Sequence, residues 1–329
     1  MTQRRTLLQA ALGSTLLATL SRPAWAQAFE QPKFLYGFPA GSAGDIAARR
    51  VAERIGGSAY AKNAALVENK PGAGGRIALD TLKSATPDGA TLALSPFSTT
   101  AIYPHVYSKL SYDPVRDIVP VSIAAVMHHG LAVGPVVPAS VTDVRGFLAW
   151  AKANPTQANY GSPAAGSTPH FLGALLGLNA GVELKHVPYR GSVPGITDVV
   201  GGQIAAMFTP AGDFLTNHRA GKLRLLATSG KARLPFAADV PTFAEQGFGE
   251  LTVEEWFGFY APARTPAPAI AAANAAINAA LKDKALIEGL GIVGLIAHGS
   301  TADEMARSQK AEFERWGPLV KRIGFTAES

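Results

Sequence analysis

The 329-residue sequence contains no cysteine. That excludes disulfides, thiolate metal sites, iron–sulfur clusters, thiol nucleophiles and a lipid anchor built on an N-terminal cysteine. Charged residues make up only 16% of the chain, below the usual quarter or so. Several enzyme signatures are also missing: there is no G-x-S-x-G, no G-x-x-x-x-G-K-[ST], no H-E-x-x-H and no G-x-G-x-x-G after a strand. The seven histidines are scattered, with His128-His129 as the adjacent pair. Neighbouring strand residues point to opposite faces, and no spacing supplies further ligands, so neither a metal nor a cofactor is expected.

The formal net charge of +6 invites a nucleic-acid reading, which the N-terminus largely removes. Met1 to Ala26 holds Arg4, Arg5 and Arg22 and no acid, and the remainder carries 27 basic residues against 24 acidic ones. Basic residues are not interleaved with aromatics as a stacking platform requires, so nucleic acid is not an expected partner. Residues 1–26 instead read as an export signal. Arg4-Arg5 precedes a largely apolar stretch from Leu7 to Leu20, followed by Ala24-Trp25-Ala26. That stretch is too short to cross roughly 30 Å of hydrocarbon comfortably. Gln3-Arg4-Arg5-Thr6-Leu7-Leu8 is twin-arginine-like, and cleavage near Ala26/Gln27 predicts a soluble periplasmic protein.

What the chain does have is a 47% hydrophobic composition, 34 glycines and 23 prolines, consistent with a folded protein rich in tight loops and long enough for two domains. Short strand-like runs alternate with helical patterns, predicting an α/β protein with parallel sheets. Phe34–Phe38, Leu66-Val67, Thr91–Leu94, Asn159–Gly161, Leu184–Val187, Ala205–Phe208 and Leu223–Thr228 are the strand candidates. Ala48, Val51, Ala52 and Ile55 share a helix face, and Ile77–Lys83 is helical. Val141–Lys152 is a helix with Ser140 as its cap and Asn154-Pro155 as its stop. Further helices start near Pro169 and Ser192. The tail is helical twice, the second time behind the capping box Thr301–Glu304.

Three Gly- or Ser-rich loops follow strand candidates and precede helices: Phe38–Asp45, Ser95–Thr100 and Tyr160–His170. Small residues let backbone N–H groups approach a ligand, and the helix beyond presents the positive end of its dipole. In a parallel sheet all three loops lie at the carboxyl ends of strands, where ligands gather. Neutral donors of this kind suit a small carboxylate. Asp45 reads either as a helix cap or as a carboxylate orienting the ligand, and His170 either as a donor or as a packing residue.

Several blocks together resemble one family. They include Phe38–Gly41 with Asp45–Arg49, Val67–Gly75, Pro87–Leu92, His186–Gly191, Asp198–Gln203, Pro241–Glu245 and Trp256–Gly258. The chain is similar to the Bug-type substrate-binding proteins of tripartite tricarboxylate transporters from about Phe34 to Gly324. The resemblance implies a type II periplasmic binding protein, with two α/β domains joined by two crossing strands and a ligand cleft between them. Domain one would comprise residues 27–130 and 256–329, and domain two residues 131–255. It also implies ligand contacts from Phe38, Ala40, Gly41, Ser42 and Asp45 on one side, where the Ser95–Thr100 loop adds Ser98 as a candidate. On the other side stand Ser162, Ala164, Gly166, Ser167, His170, Thr209 and Asp213. In the first loop Ala43 removes a hydroxyl common in the family, and Ser42 is positioned to replace it.

The expected function is capture of a small organic carboxylate (dicarboxylate, aromatic acid or amino acid) by a monomer that passes it to membrane permease subunits, without turnover. The rivals are a periplasmic hydrolase using Ser162 or Ser167, and a receptor feeding a sensor system. Asp213 either binds an ammonium group or repels a second carboxylate.

Overall fold

The computed structural model describes residues 28–327, so the proposed leader and its cleavage site lie outside the described residues. In chain order the elements are β1 (Lys33–Tyr36), α1 (Ala43–Arg54), β2 (Leu66–Asn69), α2 (Arg76–Lys83), β3 (Thr91–Pro96), α3 (Tyr103–Val106) and β4 (Ile118–Val133). There follow α4 (Val144–Ala153), β5 (Asn159–Ser162), α5 (Thr168–Ala180), β6 (Lys185–Pro188), α6 (Ser192–Val200), β7 (Ala206–Pro210), α7 (Leu215–Arg219) and β8 (Arg224–Thr228). The chain ends with β9 (Glu254–Pro262), α8 (Ala267–Ala280), α9 (Lys284–Ile292), β10 (Leu295–Ala297) and α10 (Ala302–Ile323).

The strands form two lobes that share β4. In the first lobe β1 pairs in parallel with β2 and β3, and β3 pairs antiparallel with β9. In the second, β5 pairs in parallel with β6 and β7. Strand β4 runs antiparallel to β9 from Ile118↔Pro262 as far as His128↔Glu254, then changes partners. From His129 onward it pairs with β7 and β8. The sheet is therefore mixed, parallel in the expected βα units that build the outer part of each lobe and antiparallel where the two long strands run side by side at the centre. Pro120 lies inside β4, where the register with β9 slips between Pro120 and Ser122; an irregular ladder tolerates a residue that cannot donate.

Two further differences have local causes. Helix α4 begins at Val144, and its cap is Asp143, whose carboxylate accepts from Gly146 N at 2.6 Å. Asp143 satisfies the third helical N–H more strongly than Ser140 can from outside the turn. The tail holds a third helix, α9, capped by Asp283 through Leu286 N. The capping box of α10 forms as expected between Thr301 and Glu304.

Aromatic residues fill both lobes and the joint between them. Phe34 packs on Phe259 with centroids 4.7 Å apart in the first, and Phe208 stacks on Phe243 at 6.0 Å in the second. Helix α10 crosses the joint: buried Trp316 meets Phe171 of α5 at 6.0 Å, and Arg322 bonds Asn179 at 2.9 Å. The carboxyl ends of β1, β3, β5 and β7 all face the gap between the lobes, because each parallel unit is wound toward the shared strand.

Gly134, directly after β4, tests how tightly the second lobe closes on this strand. A Cβ there would come within 2.0 Å of Val199 O, a backbone atom. Gly134→Ala is expected to cost about 1–3 kcal/mol, lowering the melting temperature by roughly 2–4 °C per kcal/mol. An unchanged melting curve would show that the backbone of α6 yields freely.

Candidate functional site

Both lobes wall a small cavity of about 50 Å³. The first lobe contributes Phe38, Ser42, Ala43 and Gly44 after β1, Ser98 after β3, and Glu255 from β9. The second contributes His129 from β4, Ser167 and Pro169 at the start of α5, Ser192 at the start of α6, and Asp213 after β7. Five expected residues therefore line the cavity: Phe38, Ser42, Ser98, Ser167 and Asp213. A larger open groove of about 940 Å³ on the first lobe contains none of the expected residues.

The helices that start at the cavity lack side-chain caps. Ser42 precedes α1, Ser167 precedes α5 and Gly191 precedes α6, and none accepts from its helix. The two serine hydroxyls are turned away, Ser42 Oγ donating to Pro39 O at 2.9 Å and Ser167 Oγ to Ala164 O at 2.6 Å. Helices α4, α9 and α10, remote from the cavity, are all capped by side chains. Each uncapped start leaves N–H donors at the positive end of a helix dipole.

One such donor is already used. Ala43 N, in the first turn of α1, donates across the cleft to Asp213 Oδ1 at 3.1 Å. Thr209 Oγ1 donates to the other oxygen at 3.3 Å. Asp213 remains partly exposed, yet desolvation lifts its carboxyl above the usual carboxylate range against the bonds from Ser192, Ala43 and Thr209. Its neighbourhood in the cavity holds no lysine or arginine.

Behind the cavity, at the fork where β4 leaves β9, His129 Nε2 meets Glu255 Oε2 at 2.7 Å. Both side chains are about 99% buried, at 1% exposure each. Glu255 Oε1 accepts from Ser98 N at 3.0 Å, while His129 Nδ1 has no partner among the described residues. This pair was not expected from the sequence. The available signal was a His-His doublet on one crossing strand and a Glu254-Glu255 doublet on the other, of which one member each turns inward.

The remaining expected residues frame the loops and do not line the cavity. Ala40 and Gly41 are exposed. Asp45 is buried and fully engaged, accepting from Gly41 N at 2.9 Å, Arg49 Nε at 3.0 Å and Asn69 Nδ2 at 2.8 Å. Burial raises its pKa, but these three partners outweigh burial and hold the carboxyl below its ordinary value. Asp45 thus ties the first loop shut from behind. Thr209 orients Asp213 rather than facing the cavity. Ser162 and Ala164 shape the second loop, Ser162 Oγ donating to Ala164 O at 3.0 Å and lying 2.8 Å from His186 Nε2.

His170 is a packing residue that sets the same loop. Its Nδ1 accepts from Gly166 N at 3.0 Å, a contact that requires the positive φ of +75° at Gly166. Its ring stacks on His186 at 3.8 Å and meets Phe325 edge-on at 4.5 Å. Burial lowers His170 to about 3, with His186 adding to the effect, and burial lowers His186 to about 4. The Ser162–His186 contact has the spacing of a nucleophile and base, but Ser162 is completely buried and sits outside the cavity lining.

A two-lobed α/β body with helix N-termini converging on an interlobe cavity defines a solute-binding protein. The family model described as "Tripartite tricarboxylate transporter family receptor" matches residues 47–325. The chain belongs to this family of receptors. A protein encoded in the tcbD–tcbE intergenic region of Pseudomonas sp. strain P51 is 33% identical over 97% of this chain and 94% of its own. BugT of Bordetella pertussis is 32% identical over 87% of each. Among solved structures, one described as a periplasmic transporter is 34% identical with a TM-score of 0.85, covering 93% of this chain and 99% of its own. An R. palustris protein with adipate is 28% identical with a TM-score of 0.85, over 94% of this chain and all of its own. MatC of Rhodopseudomonas palustris, with bound malate, is 26% identical with a TM-score of 0.81, over 88% and 99%. The fold is that of the type II periplasmic binding proteins, and the chain is a solute-binding receptor, not an enzyme.

Two measurements test these assignments. Asp45→Ala leaves Gly41 N, Arg49 and Asn69 without their acceptor, and should cost about 1–3 kcal/mol of stability, with ligand affinity falling only as the loop loosens. For the stacked histidines, folded pKa values below the unfolded 6.5 mean that the unfolded chain binds more protons. Stability is therefore complete above about pH 6.5 and is lost as the pH falls toward 4, at no more than about 1.4 kcal/mol per pH unit for each ring. Melting temperatures measured from pH 7.5 to 4.5 should show this decline, and His186→Gln should flatten it.

Proposed function

We propose that this receptor binds a small organic carboxylate between its lobes in the periplasm and delivers it to the permease subunits of a tripartite tricarboxylate-type transporter. The observation that carries this reading is the convergence of three helix starts without side-chain caps, α1 from one lobe and α5 and α6 from the other, on one cavity. A carboxylate there accepts from backbone N–H groups already oriented by their helices, with Asp213 yielding Ala43 N where the ligand takes it, and closure strengthens those charge-assisted bonds by excluding water. Export by the twin-arginine-like leader places the mature chain, from about Gln27, in that compartment. The domain division proposed is 27–130 with 256–329 against 131–255, close to the fork at His128/His129 and the return at Glu254.

Within the three ligand classes, the lining favours an acid that also carries a donor group. Asp213 and Glu255 are both acceptors when ionised, no lysine or arginine lines the cavity to balance a second ligand carboxylate, and the ring Nε2 of His129 is already taken up by Glu255. An amino or hydroxyl group opposite Asp213 uses its remaining lone pairs; an unsubstituted diacid places like charges together. Malate, bound by MatC, is a hydroxy acid of this kind, and adipate, bound by the other neighbour, lacks the donor.

The test is thermal unfolding of residues 27–329, stripped of carried ligand by unfolding and refolding, against malate, glutamate, benzoate and adipate. A ligand at 100 times its dissociation constant adds about 2.7 kcal/mol. Amino or hydroxy acids should raise the melting temperature by several degrees, with adipate the weaker diacid; silence from every acid would sink the reading. Asp213→Asn should weaken the amino or hydroxy acid on the order of tenfold or more. Because desolvation raises the Asp213 pKa, its ionised form destabilises the empty protein at neutral pH. The Asn variant should therefore melt higher than the parent at pH 7, and the difference should vanish as the pH falls through the carboxyl range.

A further inference from the structure

The inner cavity adjoins a second interlobe cleft of about 320 Å³, and the two share Phe38 and Pro163. Their linings have opposite chemistry. Asp213 and Glu255 line the inner cavity without a lysine or arginine, whereas Arg76 and Arg190 line the outer cleft without an aspartate or glutamate among the described residues. Arg76 opens α2 in the first lobe, and Arg190 stands just before α6 in the second.

Contacts between the lobes surround this cleft. Tyr107 Oη donates across to Ala165 O at 3.2 Å. A Cβ on Gly191 would lie 2.8 Å from Pro39 Cδ, and one on Gly74 would lie 3.4 Å from Ala164 Cβ. Arg76 is braced within it: its guanidinium carbon sits 4.0 Å over the Tyr107 ring, and Nε donates to Ala73 O at 2.9 Å. Neither arginine has an acid within ion-pair distance among the described residues, and Arg190 is exposed. The carboxylate of Asp198, near the second-lobe wall, already accepts from Tyr189 Oη at 2.8 Å.

We propose that the outer cleft is an anion-capture site, in which the carboxylate of an incoming solute is held between Arg76 and Arg190 before it passes to the inner cavity. Asp213 and Glu255 beside the inner cavity, the latter paired with His129, oppose the approach of an anion, and two guanidinium groups without an acid partner among the described residues offset that field at the mouth and raise the local solute concentration. Because each lobe supplies one arginine, a carboxylate bonded to both also links the lobes at the point where they close. The proposal rests on the carboxylate reading of the inner cavity and adds a second, outer position for the same ligand.

Acetate, titrated into ¹⁵N-labelled full-length mature protein, reads the outer cleft directly through the Nε–Hε signals of the two arginines, assigned by their loss in R76K and R190K. Both signals should shift saturably with one dissociation constant, and Arg190→Gln should weaken the Arg76 response on the order of fivefold or more. Arg190 is exposed and has no ion-pair partner among the described residues, so this variant is expected to keep the fold. With any acid that raises the melting temperature, Arg190→Gln should also slow association roughly 3–10-fold at low salt, converge with the parent at high salt, and leave dissociation unchanged. Linear or unequal shifts, or an association rate indifferent to the variant, overturn the proposal. So does coupling that appears only after Glu328 and Ser329 are removed, because the chain's own carboxylates then fill the mouth. Coupled shifts with no acid raising the melting temperature would instead leave capture standing and refute the inner-cavity reading.

Discussion

The arrangement depends on β4, a single strand that belongs to two sheets. It must leave β9 and take up β7 and β8 without losing its ladder, and it does so between His128 and His129. The break in pairing is bridged by side chains: His129 bonds Glu255 at 2.7 Å, and Glu255 reaches on to Ser98 N. A buried pair of this kind adds little net stability, since desolvation offsets much of its attraction, but losing one partner leaves the other stranded. Its consequence here is positional. It ties the two crossing strands to each other and to the loop after β3, beside the gap that the loops after β1, β3, β5 and β7 share.

Given that gap, the polarity of the helices does the rest. Three helices far from it, α4, α9 and α10, carry side-chain caps, Asp143, Asp283 and Thr301, while α2 and α8 start without one. The helices at the gap forgo that stabilisation, worth about 1 kcal/mol each, and keep their first-turn donors unbonded by their own N-caps. Asp213 supplies a carboxylate to one of them from the opposite lobe, which makes the Ala43–Asp213 bond an internal analogue of the interaction proposed for the ligand. A solute carboxylate at the same N–H has to displace that bond, so the strength of the internal bond sets part of the affinity.

Strand positions, most helices and the loops were legible in the sequence because periodicity, Gly and Pro record local backbone needs. The loop reading and the family resemblance together pointed to five residues that line the cavity, Phe38, Ser42, Ser98, Ser167 and Asp213. The antiparallel centre was less legible: β4 carries a proline and reads as no single periodic run, and its partners are set by chain segments more than a hundred residues away. The same distance hid His129 and Glu255. Each is one member of a doublet whose inward and outward faces are fixed only once β4 and β9 pair in register.

Asp45 and His170 show where chemical type misleads. Both are titratable, both sit in glycine-rich loops, and both have their acceptors turned toward backbone N–H groups of the same loop, Gly41 in one case and Gly166 in the other. A loop of small residues that must present N–H groups to a solute has no side chains of its own to hold its shape. The order has to come from behind, through a residue with strong acceptors and a buried position. Asp45, bound by Arg49 and Asn69, and His170, stacked on His186, meet that need. Chemistry-bearing residues in such loops therefore divide by where their partners lie: Asp45 and His170 accept from N–H groups of their own loops and set the geometry, whereas Asp213 takes one of its bonds across the cleft, from Ala43 N.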